Sequence, residues 1–307
     1  MPTKTNIIIA GIGGVGGYFG GLLAKSYAGN ADIEIDFIAR GEHLKQIKNN
    51  GLKVIKREID FIARPHVATN TASEIGTVDY VIISTKNYDL ENILNELRPC
   101  INDQTVILPL LNGVEAVEII RTKFPQNLVP AGCAYIISAI KEPGVVENMG
   151  NRQEIYFGLD QESDERLAKL EDILKSAGIE ASLSDKISKL IWEKFIFLSC
   201  IATATSYYDK AVGQLLEKHQ TDLIALLKET TALALAKNIV VDDQIIEKAL
   251  AHYKALPYEA TSSMQRDFAA KKQTELNSIT AYVVNEGKKL NIETPNFERA
   301  YRHLASK

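Results

Sequence analysis

Short runs of consecutive apolar, often β-branched residues recur through the first half of the chain, at Ile7–Ala10, Ile33–Ala39, Val78–Ser84, Thr105–Leu108, Leu128–Cys133 and Glu154–Phe157. Longer stretches of helical periodicity separate them. Strands alternating with helices in this way build βαβ units and a parallel sheet. The run Asp79-Tyr-Val-Ile-Ile-Ser-Thr85 is apolar at successive positions, not alternate ones, as expected of a strand covered on both faces. The first half therefore predicts a doubly wound α/β domain. Beyond about Asp185 the strand pattern stops, and helical periodicity runs through Lys186–Ser206, Leu215–Asn238, Asp243–Lys254 and Ser263–Leu290. Glu165–Ala177 predicts one more helix, stopped by Gly178. The expected division is an α/β domain over residues 1–185 and an all-helical domain over residues 186–307.

At 307 residues the chain exceeds what one ordinary hydrophobic core supports, which agrees with that division. A formal net charge of −4 and the lack of long like-charge blocks argue against nucleic acid as a partner. Cys100, Cys133 and Cys200 are odd in number and lack ligand spacing, so neither a disulfide framework nor a metal site is expected. A reducing, cytoplasmic setting suits them. No apolar stretch approaches the roughly 20 residues that span a bilayer, so no membrane association is expected. The apolar run Ile7–Ala10 is too short for a signal peptide.

The first chemical signal is Gly11-Ile-Gly13-Gly-Val-Gly16, set between a strand and an apolar helix. In that context the first glycine allows a tight turn, the second admits a pyrophosphate, and the third lets helix and strand approach closely. This predicts a Rossmann-type fold with the phosphates at a helix N-terminus. An NAD enzyme would carry an acidic residue about 20 residues further on, at the tip of the second strand. Here that strand ends in Arg40-Gly41, and Asp36 lies mid-strand. A guanidinium at the tip suits the 2′-phosphate of NADP. Lys86 ends the strand Val81–Thr85, and Asn112 follows Thr105–Leu108, so both are expected at the carboxyl edge of the sheet, facing cofactor or substrate. Asn112-Gly113 is also an ordinary turn signal.

The chain resembles the ketopantoate reductase family through Gly11-x-Gly13-x-x-Gly16, Arg40-Gly-x-His43-Leu44, Thr85-Lys86, Leu111-Asn112-Gly113, Ile191-Trp-Glu-Lys194 and Thr261-Ser-Ser263-Met-x-x-Asp267 followed by Thr274-Glu275. These occur in family order over nearly the whole chain. The resemblance implies reduction of 2-dehydropantoate to (R)-pantoate by NADPH, a step of pantothenate and coenzyme A biosynthesis. It makes Lys194 the general acid, has Glu275 bind or orient the substrate hydroxyl close to Lys194, and gives the substrate carboxylate to Ser263. Physically, a lysine among Ile191, Trp192, Phe195 and Leu198 is expected to be partly desolvated, which lowers its pKa toward working pH. A lysine snorkelling to water is the plain alternative. Ser262-Ser-Met-Gln265 is also a capping box, whose free helix N-terminus would attract a carboxylate.

The chain departs from the family at Leu198 and Ala202, four and eight residues after Lys194, where relatives carry asparagines on the same helix face. Substrate groups left unpaired there would cost about 1–3 kcal/mol each unless Ser199, Thr203 or water replaces the amides. After Glu275 the chain has Thr280-Ala281 in place of the usual Asn-Gly. The alternatives are therefore a reductase of another 2-oxo acid with a more apolar tail, and a non-catalytic NADP-binding regulatory protein. The apolar helices would also serve a homodimer interface. The expected arrangement holds substrate in a cleft between the domains, with a hinge near Asp185.

Overall fold

In the computed structural model, which describes residues 4–57 and 59–307, the chain packs as two units. One consists of Met1–Leu111 and Glu115–Ile187, the other of Asn112–Val114 and Ser188–Lys307. In chain order the first unit runs β1 (Thr5–Ala10), α1 (Gly14–Ser26), β2 (Ile33–Ile38), α2 (Gly41–Asn50), β3 (Leu52–Lys56), β4 (Ile59–Ala63), β5 (Ala68–Thr69), β6 (Tyr80–Ile83), α3 (Leu90–Leu97), β7 (Val106–Pro109), α4 (Ala116–Lys123), β8 (Ala131–Glu142), β9 (Val145–Gly158), α5 (Glu165–Ser176) and β10 (Glu180–Leu183).

Five strands form a wholly parallel sheet in the order β5-β2-β1-β6-β7. Along β1, Ile7 and Ile9 enter one core, and Ile8 and Ala10 enter another. Tyr80 and Ile82 of β6 share the first of these cores, Val81 and Ile83 the second. Burial on both faces explains why these runs are apolar at every position. The chain goes from β1 outward to β2 and β5, then returns to β6 and β7, so the order reverses between β1 and β6. Open α/β sheets hold ligands at that reversal, beyond the strands' carboxyl ends.

Of the run Leu128–Cys133 only Leu128 joins this sheet, through a parallel bridge to Val106 of β7; Ala131–Cys133 and the run Glu154–Phe157 lie elsewhere. They fall in a long antiparallel hairpin, β8–β9, that belongs to a second five-stranded sheet. The other edge of β9 pairs with β3 at Val145–Asn148 and with β10 at Glu154–Phe157, and β4 pairs beside β3. Helix α1 lies between the sheets: Gly20 packs on Ile9 and Phe37 of the first, while Gly17 and Gly21 pack on Val146 and Val54 of the second. Gly17 and Gly21, four apart, share one face of the helix and Gly20 lies on another, so a sheet closes on each.

The second unit is helical, as expected: α6 (Ile187–Tyr208), α7 (Val212–Lys218), α8 (Gln220–Ala236), α9 (Ile245–Ala255), α10 (Ser263–Ala269), a π turn (Asn277–Ala281), α11 (Tyr282–Leu290) and α12 (Pro295–Leu304). Trp192, Phe195, Leu227, Tyr253, Tyr282 and Phe297 fill its core. The single helix expected over Ser263–Leu290 is in fact broken. Lys271 takes a left-handed φ of +53°, and Lys272 N–H donates to the Asp267 carbonyl at 2.9 Å, closing α10. Thr280 and Ala281, which stand in place of the family's Asn-Gly, lie inside the π turn.

Glu229 of α8 caps α12 from a buried position, accepting from the N–H groups of Asn296 (2.9 Å) and Phe297 (3.0 Å). Glu229→Ala strands the part-buried Asn296 N–H and the buried Phe297 N–H. It is expected to cost about 2–4 kcal/mol, read as a lower midpoint in chemical denaturation; an unshifted midpoint would show that α12 needs no cap.

Candidate active site

Beyond β1 the chain turns at Gly11, with a φ of +92°, where a Cβ is costly. A Cβ there would also lie 2.7 Å from Thr85 Cγ2. Gly16 packs so closely that a Cβ would overlap the Gly11 carbonyl oxygen, whereas a Cβ on Gly13 would meet nothing within 4 Å. Helix α1 starts with Gly13 as its N-cap, without a side-chain cap or an acidic residue in its first turn. Its first N–H groups and the positive end of its dipole are thus not neutralised by side chains.

Around this loop Ser84 Oγ, Thr85 Oγ1 and Ser138 Oγ are buried without a hydrogen-bond partner in the protein. Ser84 and Thr85 follow β6 and pack on Gly16 and Gly11, and the Ser138 backbone lies against Gly14. A register shift between Ile136 and Ser138 interrupts the pairing of β8 with β9 here. Unmet buried hydroxyls cost about 1–3 kcal/mol each. Donors of this kind at an uncapped helix start fit a dinucleotide pyrophosphate. Ser84 and Ser138 were not singled out in the sequence; nothing local marks Ser138, which arrives from the distant hairpin.

Arg40 lies at the tip of β2 as the N-cap residue of α2, and its Nη2 donates to Glu96 Oε1 of α3 at 2.6 Å. Glu96 accordingly pushes the guanidinium's pKa further up. Asp36 is 2% exposed; its carboxylate accepts from Val67 N–H at 2.9 Å and lies 3.1 Å from His66 Nδ1. Burial pushes this carboxyl's pKa up, and the group serves the sheet edge between β2 and β5. Lys86 directly follows Thr85, and its carbonyl starts a short turn by accepting from Asp89 N–H at 3.0 Å.

In the second unit Lys194 Nζ donates to Asn112 Oδ1 at 3.5 Å, joining residues far apart in sequence. Asn112 reaches this unit because Gly113, at a φ of +94°, turns the chain there. Glu275 is 4% exposed and lies two residues before the π turn, where its carbonyl accepts from Ile279 N–H at 3.0 Å. Such π turns add one residue to a helix and recur at functional sites. Ser263 opens α10, and the Ser262 hydroxyl caps that helix through Gln265 N–H at 3.0 Å while meeting Thr205 Oγ1 of α6 at 2.7 Å. The reciprocal half of the capping box is not made, because the Gln265 amide donates to Asp209 at 3.1 Å.

Half-buried Leu198 and buried Ala202 pack with the buried side chains of Met264, Leu276 and Ile279, so the residues adjoining Ser263 and Glu275 belong to an apolar cluster. Neither hydroxyl considered as a replacement for the missing amides turns toward this cluster. Thr203 is fully buried with its Oγ1 2.7 Å from Thr280 Oγ1, and fully buried Ser199 lies 4.0 Å from Cys200 Sγ. All three cysteines are free and buried, and burial pushes the Cys200 thiol up to about 12. Among the described residues no group of three His, Cys, Asp or Glu is placed to hold a metal, and no helix is long and apolar enough to cross a membrane.

Comparison with known proteins places the chain in a family. Residues 7–162 match the family model described as "Ketopantoate reductase PanE/ApbA", and residues 186–307 match its C-terminal counterpart. The crystal structure of 2-dehydropantoate 2-reductase from Porphyromonas gingivalis is 36% identical and superposes with a TM-score of 0.87, over 99% of this chain and 100% of that one. An uncharacterized oxidoreductase of Bacillus subtilis is 28% identical over 97% of both chains. A D-mandelate dehydrogenase, solved with NADH and anilino(oxo)acetate, shares the fold at 24% identity with a TM-score of 0.85, over 98% of both chains. With both halves matched in order along almost the whole sequence, the chain belongs to the ketopantoate reductase family of NAD(P)-dependent oxidoreductases.

Proposed function

We propose that the chain reduces the keto group of a 2-oxo acid, with NADPH as reductant and 2-dehydropantoate as substrate, yielding (R)-pantoate. The observation that carries this is the Lys194 ammonium held at the Asn112 amide oxygen, 3.5 Å away, on a helix otherwise rich in apolar residues. Carbonyl reduction needs a fixed proton donor, whereas a nucleotide sensor does not. Gly11, Gly13 and Gly16 would hold NADPH, with Arg40 for its 2′-phosphate and Lys86 and Asn112 as further ligands, and the bound dinucleotide would supply the hydride. Lys194 Nζ passes a proton to the substrate oxygen as negative charge develops there. Asn112 keeps the ammonium aimed, Glu275 orients the resulting hydroxyl, and Ser263 at the start of α10 anchors the carboxylate.

A second substrate is favoured by one observation, the apolar cluster that takes in Leu198 and Ala202. A 2-oxo acid with a more apolar tail would lose less there than a hydroxylated one. The test is NADPH consumption by the purified protein with 2-dehydropantoate beside a panel of apolar 2-oxo acids. Turnover of none of them would overturn the assignment as a reductase. In the same assay Leu198→Asn is expected to shift kcat/KM about tenfold toward 2-dehydropantoate, the worth of one new hydrogen bond. An unchanged ratio would place Leu198 away from the substrate tail.

A further inference from the structure

We propose that Glu96 is a specificity-determining residue that weakens the preference for a 2′-phosphorylated dinucleotide by holding Arg40 in an ion pair. The proposal rests on Arg40 as the 2′-phosphate ligand, and both residues belong to the first unit. Arg40 Nη2 lies 2.6 Å from Glu96 Oε1, a short charge-assisted contact. Asp89, at the other end of α3, adds a second carboxylate that acts on the same guanidinium. The nearest lysine along α2 is turned to another partner, since Lys45 Nζ pairs with Glu42 at 3.5 Å. Arg40 therefore meets an incoming ligand with its charge already largely balanced.

The two dinucleotides face this arrangement differently. A 2′-phosphate, with about −1.5 to −2 charges at neutral pH, must either displace Glu96 from Arg40 or share the guanidinium with it at close range. Displacement is feasible because the pair is half in water, its side chains 49% and 39% exposed, but the pairing is lost and the carboxylate remains nearby. A free ribose 2′-hydroxyl is instead a donor, and the Glu96 carboxylate is an acceptor. Glu96 thus opposes NADPH and suits NADH, levelling a preference that Arg40 alone would make steep.

The experiment is isothermal titration calorimetry of the full chain with NADPH and with NADH, for wild type, Glu96→Gln, Arg40→Ala and the double variant, at low and high salt. Glu96→Gln keeps the shape and removes the charge. It is expected to tighten NADPH binding relative to NADH about fivefold, near the ceiling for an exposed ion pair, with the gain shrinking as salt rises. In the Arg40→Ala background the same change is expected to do much less, the coupling that a merely structural Glu96 would not show. A Glu96→Gln ratio that stays level or falls, while Arg40→Ala weakens NADPH alone, overturns the role of Glu96 and leaves that of Arg40 standing. Equal weakening of both dinucleotides by Arg40→Ala overturns the 2′-phosphate assignment, and the role of Glu96 with it.

Discussion

Lys194→Ala is expected to lower kcat by about two to four powers of ten, the range for loss of a general acid, while dinucleotide affinity and the thermal midpoint stay nearly unchanged. The affinity should survive because the glycine loop, Arg40 and Lys86 all belong to the other unit. The fold should survive because Lys194 is only half-buried on α6 and is not part of the apolar cores. Steady-state kinetics beside calorimetry of NADPH binding separates the two effects, and turnover near the wild-type rate would dismiss Lys194 as the proton donor. Asn112→Ala should cost less than Lys194→Ala, because it removes the group that aims the ammonium and leaves the ammonium itself.

Gly16→Ala should damage both the fold and cofactor binding. The new methyl would overlap the Gly11 carbonyl oxygen, and backbone cannot move aside as a flexible side chain can. An overpacking cost of about 1–3 kcal/mol should appear as a lower thermal midpoint, with NADPH affinity reduced at least about tenfold as the loop shifts. Gly13→Ala provides the contrast. Its methyl meets nothing within 4 Å, and its backbone φ of −84° suits alanine, so the midpoint should hold while affinity falls because the methyl stands where a pyrophosphate must approach. Equal NADPH affinity in Gly13→Ala and wild type would remove Gly13 from the binding loop.

The doubly wound sheet and the helical second half were legible because burial on both faces of β1 and β6 leaves consecutive apolar residues, and helices leave a period of 3.6. The second sheet was less so. Its strands are half-exposed and carry charges such as Lys53, Lys56, Arg152 and Glu154, and two of its segments passed for members of the first sheet. The break between α10 and the π turn was illegible because it uses Lys271 in a left-handed conformation where a glycine would have announced it. Among the candidate site residues, the glycine spacing led directly to the loop at β1, and Lys194 was marked by family resemblance more than by any local pattern; its juxtaposition with Asn112, far away in sequence, had no signal in the chain. Ser138 could not have been found locally, since its importance comes from a hairpin folding back on α1.

The assignment of Asn112–Val114 to the helical unit bears on how this protein can change over generations. Recombination that exchanged everything from residue 188 onward would leave that triplet behind. Val114 packs on the helical core, and Asn112 bonds Lys194, so a chimaera would set the resident amide and apolar plug against an imported lysine and an imported core. The halves are therefore poor currency for domain shuffling. New substrates along this lineage are expected to arise by point substitution on α6 and α10, at positions such as Leu198 and Ala202, with the cofactor loop and the helices inherited together.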